Sequence, residues 1–457
     1  MKKQEYENLL TLAMSTGADY AEIYHENSRL RTFNVIDSKL DSIGTDNVRG
    51  IGVRIIKENN YYYTSTNILN YENIEKIIMN LLKSIPGQSK KKVTLEPLME
   101  KTPKILIPHD NMKIEAKKEF LLNIDREIRT TSSLIKQVSL SLLEDDKNFI
   151  IATSEGKYIK SSNCLTRYTC TVHTQKGNIK EREFTDYAQG KGYEILEEVD
   201  LLDKSLKAAK SAVDKLDAQE FEGGELPVII APGFGAVIFH EACGHGLEAT
   251  QVAPGISVFA NDYGKKIASE KVTLIDDATI ENAWGSYLID DEGNAPQKNI
   301  LIENGILKSF LVDKINTKRL KIKANGCGRR ENYNYAPTSR MSNTYLAPGT
   351  DTFEDMLKDI KLGVYCERMS GGIVNPATGD FNFAVSTARK IENGKLTEKI
   401  KGITLSGNSK SILKNVEMVS SDLLLSGGYC GSKSGLIYVT IGQPTIKVSK
   451  ILVGGKE

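Results

Sequence analysis

The sequence predicts an α+β protein: an N-terminal α+β domain of two similar lobes, then a β-rich C-terminal domain that carries one chemically dense helix. Three observations lead there. Apolar residues recur with period 2 and then period 3.6 through the first half, the pattern of mixed strands and helices. The junction Glu222-Gly223-Gly224-Glu225 marks a change of character. Beyond it, strand-like stretches and turn signals predominate. A chain of 457 residues exceeds a single compact core. The expected division is therefore 1–220, with lobes of about 1–86 and 104–220, and 221–457.

Taken in order, residues 4–14 read as an amphipathic helix, and 21–25, 30–37, 50–57 and 61–65 as half-buried strands. Residues 70–82 return to helical period, with Ile74, Ile77, Ile78 and Leu81 on one side. The Lys- and Pro-rich stretch 86–103 reads as a connection. The second lobe repeats this alternation, with a helix at 114–126, strands at 135–142, 149–153 and 167–173, then a Lys- and Ala-rich helix at 202–216. In the C-terminal domain Val228-Ile229-Ile230 is a buried strand, and a helix begins near Phe234. Two Asn-Gly pairs, Asn304-Gly305 and Asn393-Gly394, lie between strand-like flanks and predict tight hairpins, which demand positive φ.

Composition excludes several classes of function. The chain is 40% hydrophobic and 26% charged, ordinary for a globular protein. Sixty Lys and Arg balance 59 Asp and Glu. That leaves no general electrostatic attraction to nucleic acid or to an acidic membrane. The opening MKKQEYENLL lacks the apolar core of a secretory signal. Residues 226–243 are the most apolar stretch, but Pro227, Pro232, Gly233, Gly235 and a His-Glu pair interrupt it, so a strand followed by a helix is expected rather than a membrane span. The expected location is the cytoplasm. Six scattered cysteines without a C-x-x-C pair fit reduced thiols, not a disulfide framework. Neither G-x-x-x-x-G-K-[ST] nor a G-x-G-x-x-G following a strand occurs, which argues against a nucleotide enzyme.

The chemistry concentrates in His240-Glu241-Ala242-Cys243-Gly244-His245. Only five histidines occur, and two of them bracket this hexapeptide. Neutral imidazole is a good zinc ligand, and an adjacent carboxylate can take a proton from water. The spacing is awkward. In H-E-x-x-H the histidines stand four apart on one helical face; here they stand five apart. On a regular helix five steps turn about 500°, roughly 140° past one full turn. The two rings share a metal only if the helix widens into a π-bulge or unwinds at Gly244 and Gly246. A third ligand must come from elsewhere. On spacing, Glu248 and Cys243 are both open, and Cys430, set among Gly427-Gly428-Tyr429-Cys430-Gly431, reads from composition as a buried thiol.

Residues 239–249 (FHEACGHGLEA) resemble the metal-binding signature of the TldD/PmbA family of metallopeptidases. The likeness continues in order through Asp290-Asp291-Glu292-Gly293, Gly328-Arg329-Arg330, Arg340-Met341-Ser342-Asn343-Thr344, residues 371–383 (GGIVNPATGDFNF), Lys401-Gly402 and Cys430-Gly431. It is weaker over the N-terminal half. The resemblance implies a peptidase of unfolded or short peptides that pairs as a homodimer, or as a heterodimer with a PmbA-like relative. It also implies one Zn2+ held by His240, His245 and Cys430, with Glu241 activating a zinc-bound water. The PmbA-like branch lacks the signature, so the intact one implies the TldD-like branch. Cys243 and Ala249 depart from the family's commoner aliphatic residue and glycine, and the spare thiol of Cys243 is a competing ligand.

Two further readings stand beside this one. A non-catalytic partner or chaperone-like subunit would carry a structural metal, with Cys243 or Glu248 completing four protein ligands. A metal hydrolase of small amides would share the same centre. Arg329, Arg330 and Arg340 read as solvated charges or scaffold ion pairs, with substrate carboxylate binding as the functional alternative. Trp284, the sole tryptophan, reads as core. An extended peptide held by strand addition to a sheet edge would explain broad specificity.

Overall fold

The computed structural model describes residues 1–454. In the N-terminal half, two helix–three-strand–helix units share one sheet, whose six long strands run antiparallel. The first comprises helix Lys3–Ala13, strands Tyr20–Ile36, Lys39–Lys57 and Asn60–Thr66, and helix Tyr71–Leu82. The second comprises helix Ile114–Thr130, strands Ile135–Thr153, Tyr158–Lys176 and Ile179–Gln189, and helix Leu201–Asp214. The units join where Tyr20–Ile36 pairs with Ile135–Thr153. Local chemistry starts the helices: Asn70 and Asp200 accept hydrogen bonds from the N–H groups of Asn73 and Asp203. Each unit packs its own apolar core, one around Leu9, Val53 and Ile74, the other around Leu121, Leu140 and Ala209.

The strands run longer than hydropathy alone indicates. Residues 21–25 and 30–36 belong to one strand, with Asp37 already in the turn that follows, and 135–142 and 149–153 likewise form a single strand. Four of the polar residues between them, Glu26, Ser28, Glu144 and Asp145, are buried but partnered. Glu26 accepts from Ser28 Oγ and the Tyr333 N–H, and Glu144 pairs with Arg31 and Lys117. The stretch 86–103 also differs from a bare connection, since Met99–Lys101 pairs in parallel with Tyr158–Lys176.

The C-terminal half is built from two large sheets and a two-stranded ribbon, Gly328–Arg329 with Thr338–Ser339. In the first the order is Ile306–Leu307, Lys298–Glu303, Leu274–Asp277, Asn343–Leu346, Gly435–Gln443, Leu424–Ser432. The second closes on itself. Leu362–Val374 pairs with Gly224–Ile230, then Ile446–Gly454, Ile403–Asn408 and Asp380–Glu392 follow, and the last returns to Leu362–Val374. Closure removes free edges from that ring. Both Asn-Gly pairs form hairpin turns, with φ of 47° and 80° at Asn304 and Gly305 and 50° and 74° at Asn393 and Gly394. The helical run that begins at Phe234 lies in the core between the two sheets, beside Met341, Met369 and Ile441.

A buried ion network ties the halves together. Arg54 lies between Glu22 at 2.7 Å and Glu292 at 2.6 Å, and Arg330 donates to Glu22. Among the described residues no helix is long and apolar enough to cross a membrane.

Candidate metal centre

The five-residue spacing of the histidines is resolved by a change of winding. After a 3-10 turn at Phe234–Ala236 and one α turn at Val237–Phe239, His240–Gly244 forms a π-helical turn, and His245–Leu247 tightens again to 3-10. The N–H of His245 donates to the carbonyl of His240, the five-residue bond that defines the wide turn. Gly244 makes the turn fit its surroundings, because a Cβ there would stand 2.0 Å from Met341 Sδ. The rings are consequently neighbours, with centroids 5.1 Å apart and planes at 81°.

Cys430 reaches the same place from the strand Leu424–Ser432. Its Sγ lies 3.3 Å from His240 Nε2 and 3.3 Å from His245 Nε2. Glu241 stands alongside, its Oε2 3.7 Å from His245 Nε2. The fold thus brings together all four residues singled out from the sequence. Burial alone would push the Cys430 thiol up, but the two imidazoles outweigh it and hold it down at about 3. The His245 imidazole is driven well above its ordinary value. Burial opposes this, and the carboxylate of Glu248, with Cys430, overcomes it. The pocket therefore favours a thiolate beside positive charge, the condition that a cation satisfies in place of a proton.

The donor set fits zinc. Bonds of about 2.3 Å to sulfur and 2.0–2.1 Å to nitrogen at tetrahedral angles put the ligand atoms roughly 3.5 Å apart, close to the 3.3 Å observed. Two imidazoles and a thiolate also suit this borderline-soft ion. The other candidate ligands stand apart from the trio. Glu248 engages the far side of His245, with Oε2 3.3 Å from Nδ1, so it orients the ring and leaves Nε2 directed at Cys430. Cys243 is fully buried among apolar side chains, where burial pushes its thiol up. Among the described residues the group of mutually close ligand atoms here consists of His240, His245 and Cys430.

A second group, His109, Asp146 and Cys164, carries no signal in the sequence. It is a hydrogen-bonded scaffold. His109 Nδ1 meets Asp146 at 3.0 Å, Nε2 meets Thr166 at 2.8 Å, and Arg29 adds its charge at Asp146. Both ring nitrogens are engaged and a guanidinium sits where a metal would need anionic ligands.

His240 and Glu241 open onto a cleft of about 690 Å³ between the two halves of the chain. One wall is the strand Ile179–Gln189, the last of its sheet on that side; the other includes Leu424–Ser432, the end strand of the first C-terminal sheet. Phe234, Val237, Met369 and Ile441 supply apolar lining. A second cavity of about 580 Å³ continues from it, sharing Glu183, Phe234, Arg368 and Gly427. The strands pack closely at Gly427, where a Cβ would meet Ala188 at 2.8 Å.

The three arginines are scaffold. Arg329 donates to the carbonyl of Met341, Arg330 to Glu22, and Arg340 to the carbonyl of Cys430. All three are buried rather than solvated. Trp284 is core, 1% exposed, with its Nε1 donating to the Gly428 carbonyl at 2.9 Å. Sequence reasoning missed the contribution of Arg340 and left Glu248 open. Their place within the resembling segments, residues 239–249 and 340–344, was the available signal.

Comparison with known proteins agrees with this architecture. Residues 223–455 match the PmbA/TldA metallopeptidase C-terminal domain, residues 21–84 domain 1 and residues 107–216 the central domain of the same metallopeptidases. The chain belongs to the PmbA/TldD metallopeptidase family. Within that family it is 31% identical to a metalloprotease TldD homolog of Buchnera aphidicola from Acyrthosiphon pisum over 448 residues, 96% of this chain and 93% of the relative. It is 35% identical to a metalloprotease of Methanocaldococcus jannaschii, covering 94% and 96%. A Saccharolobus solfataricus relative, 28% identical with 97% and 98% covered, is named a zinc metalloprotease TldD homolog. The fold matches that of TldE from Thermococcus kodakarensis with a TM-score of 0.76 at 20% identity, covering 99% of this chain and 100% of that one. A Thermotoga maritima crystal structure gives 0.81 at 18% identity, covering 99% of each chain.

Proposed function

We propose that this protein is a zinc-dependent peptidase that hydrolyses peptide bonds of unfolded or short peptides, with Glu241 as its general base. The observation that carries the reading is the convergence of two imidazoles and one thiol at zinc-like spacing, with a carboxylate beside them at the mouth of a cleft. A structural zinc normally takes four protein ligands, and three converge among the described residues. When bound, zinc would supply a Lewis acid that acidifies water and polarises the scissile carbonyl. Glu241 then takes the proton from water and returns it to the departing amine nitrogen, the work of a positioned acid–base group.

The substrate lies extended along the end strand Leu424–Ser432, pairing through backbone groups that carry no side-chain information. The contact of Ala188 with Gly427 narrows the cleft, which favours unfolded chains over folded domains. Partnership with a second copy or a PmbA-like relative belongs to the same proposal. So does a cytoplasmic location, in line with six free cysteines; near-neutral charge supports neither nucleic acid nor membrane as partner.

The test compares metal content and cleavage of an unstructured peptide in wild type and Glu241→Ala. Both should bind about one zinc per chain, since the ligands are untouched, and cleavage should fall by roughly 10²- to 10⁴-fold in the variant. Equal cleavage by the two proteins removes Glu241 from the mechanism.

A further inference from the structure

His245 and Cys430 are separated by 185 residues and stand on different elements, yet their ligand atoms are 3.3 Å apart. A series of side-chain contacts behind the metal centre connects them. Glu248 Oε2 approaches His245 Nδ1 at 3.3 Å. The other carboxylate oxygen, Oε1, and the Nε of Arg340 face each other as an ion pair at 3.8 Å, too long for a hydrogen bond, and neither has a hydrogen-bond partner among the described residues. Arg340 Nη2 donates to the Cys430 carbonyl at 2.6 Å. Its Nη1 donates to Ser434 Oγ at 2.9 Å and the Gly435 carbonyl at 3.1 Å, in the turn that returns the Cys430 strand to its neighbour.

Arg340 is fully shielded from solvent and Glu248 nearly so, at 0% and 2% exposed. A buried charge is costly unless it is paired and hydrogen-bonded, and Arg340 does not line the substrate cleft. Its charge is therefore directed inward, at the frame that carries the ligands. A guanidinium is suited to this: one planar fork meets acceptors in several directions at once, which an ammonium cannot do from one position.

We propose that Arg340 is a positioning residue of the metal centre, coupling the carboxylate that orients His245 to the main chain of Cys430. The inference rests on His240, His245 and Cys430 binding the metal, and the experiment separates the two. Zinc dissociation constants are measured by chelator competition for wild type, Glu248→Gln, Arg340→Met, Arg340→Lys and the Glu248→Gln/Arg340→Met double variant. Absorption of the cobalt-substituted proteins reports the thiolate–metal bond, and melting of the metal-free proteins reports the fold. Each single variant should weaken zinc by about 10- to 100-fold. The double variant should lose less than the product of the single losses, because both act through one chain of contacts. Arg340→Lys should recover part of the loss, keeping the charge toward Glu248 but not the whole fork. The cobalt–thiolate band should shift in Arg340→Met; where that variant does not fold, Arg340→Lys and Glu248→Gln carry the comparison. Unchanged affinity and an unchanged cobalt band in folded variants overturn the proposal, as do strictly multiplicative losses. Wild type that binds no metal overturns the metal centre itself.

Discussion

Gly244→Ala adds one methyl group at the turn on which the proposed metal centre depends. The new Cβ would lie 2.0 Å from Met341 Sδ and 2.9 Å from its Cε. Ordinary non-bonded contacts between carbon atoms are about 3.5–4.0 Å, so roughly 1.5–2 Å of overlap has to be relieved. Met341 is fully buried, and its neighbours are anchored. Arg340 binds the Cys430 carbonyl, and the N–H and Oγ of Ser342 bind Asp276 at 2.8 and 2.7 Å. Only the Met341 side chain or the π turn can yield. Overpacking of this kind costs about 1–3 kcal/mol, and alanine returns about 0.8–1 kcal/mol over glycine within a helix. The net penalty is up to roughly 2 kcal/mol. If the π turn yields, His240 and His245 move relative to Cys430 and zinc binds up to about 30-fold more weakly. If Met341 yields, the loss appears in the metal-free protein as a melting temperature lower by roughly 2–4 °C per kcal/mol. Chelator competition and calorimetry distinguish these routes, and Gly244→Ala/Met341→Ala should restore zinc affinity by opening the space. Wild-type affinity together with wild-type melting in Gly244→Ala would refute the claim that close packing at residue 244 holds the turn.

Cys430→Ser should reduce zinc content well below one per chain by elemental analysis; full occupancy rejects the sulfur as third ligand. Burial raises the Asp145 carboxyl to about 6 despite a 2.5 Å hydrogen bond from Tyr438, against about 3.9 in an unfolded chain. The folded protein thus keeps this proton to higher pH than the unfolded one, so the site destabilises progressively from pH 4 to 6 and fully above. Asp145→Asn should be near neutral at pH 4 and stabilise above pH 6 by up to about 3 kcal/mol, less the weakened Tyr438 bond; a gain equal at both pH values in urea titrations contradicts this. Arg54→Met leaves Glu292 without its guanidinium and Glu22 with Arg330 alone. It should cost about 3–5 kcal/mol in denaturant titration, and a change under about 1 kcal/mol would mean that the two halves do not depend on this network.

Regular periodicity made the helices and strands of the first half legible: Ile74 and Ile78 are buried on the helix Tyr71–Leu82. Legibility failed where charged residues interrupt a strand. Glu26 and the run Glu144-Asp145-Asp146 look like breaks, and they become continuous sheet because partners distant in sequence, among them Tyr333, Lys117 and Tyr438, satisfy them. The same limit affected the arginines. Arg329, Arg330 and Arg340 have no nearby acidic residue at helical spacing to announce a buried pair, and their acceptors come from other elements.

By itself the sequence determined the chemistry available: two histidines and a glutamate in one hexapeptide, glycines where the chain must bend, and too little charge bias to seek nucleic acid. It also required that the helix abandon regular winding for the histidines to meet. Only tertiary structure decided that the change is a π turn, packed against Met341, and that Cys430 rather than Cys243 stands with the two rings. It also turned Glu248 behind His245 and tied it to Arg340. The reason is physical. Winding and periodicity are local properties carried by neighbouring residues, whereas the meeting of a sulfur with an imidazole 185 residues away depends on how sheets pack around a shared core.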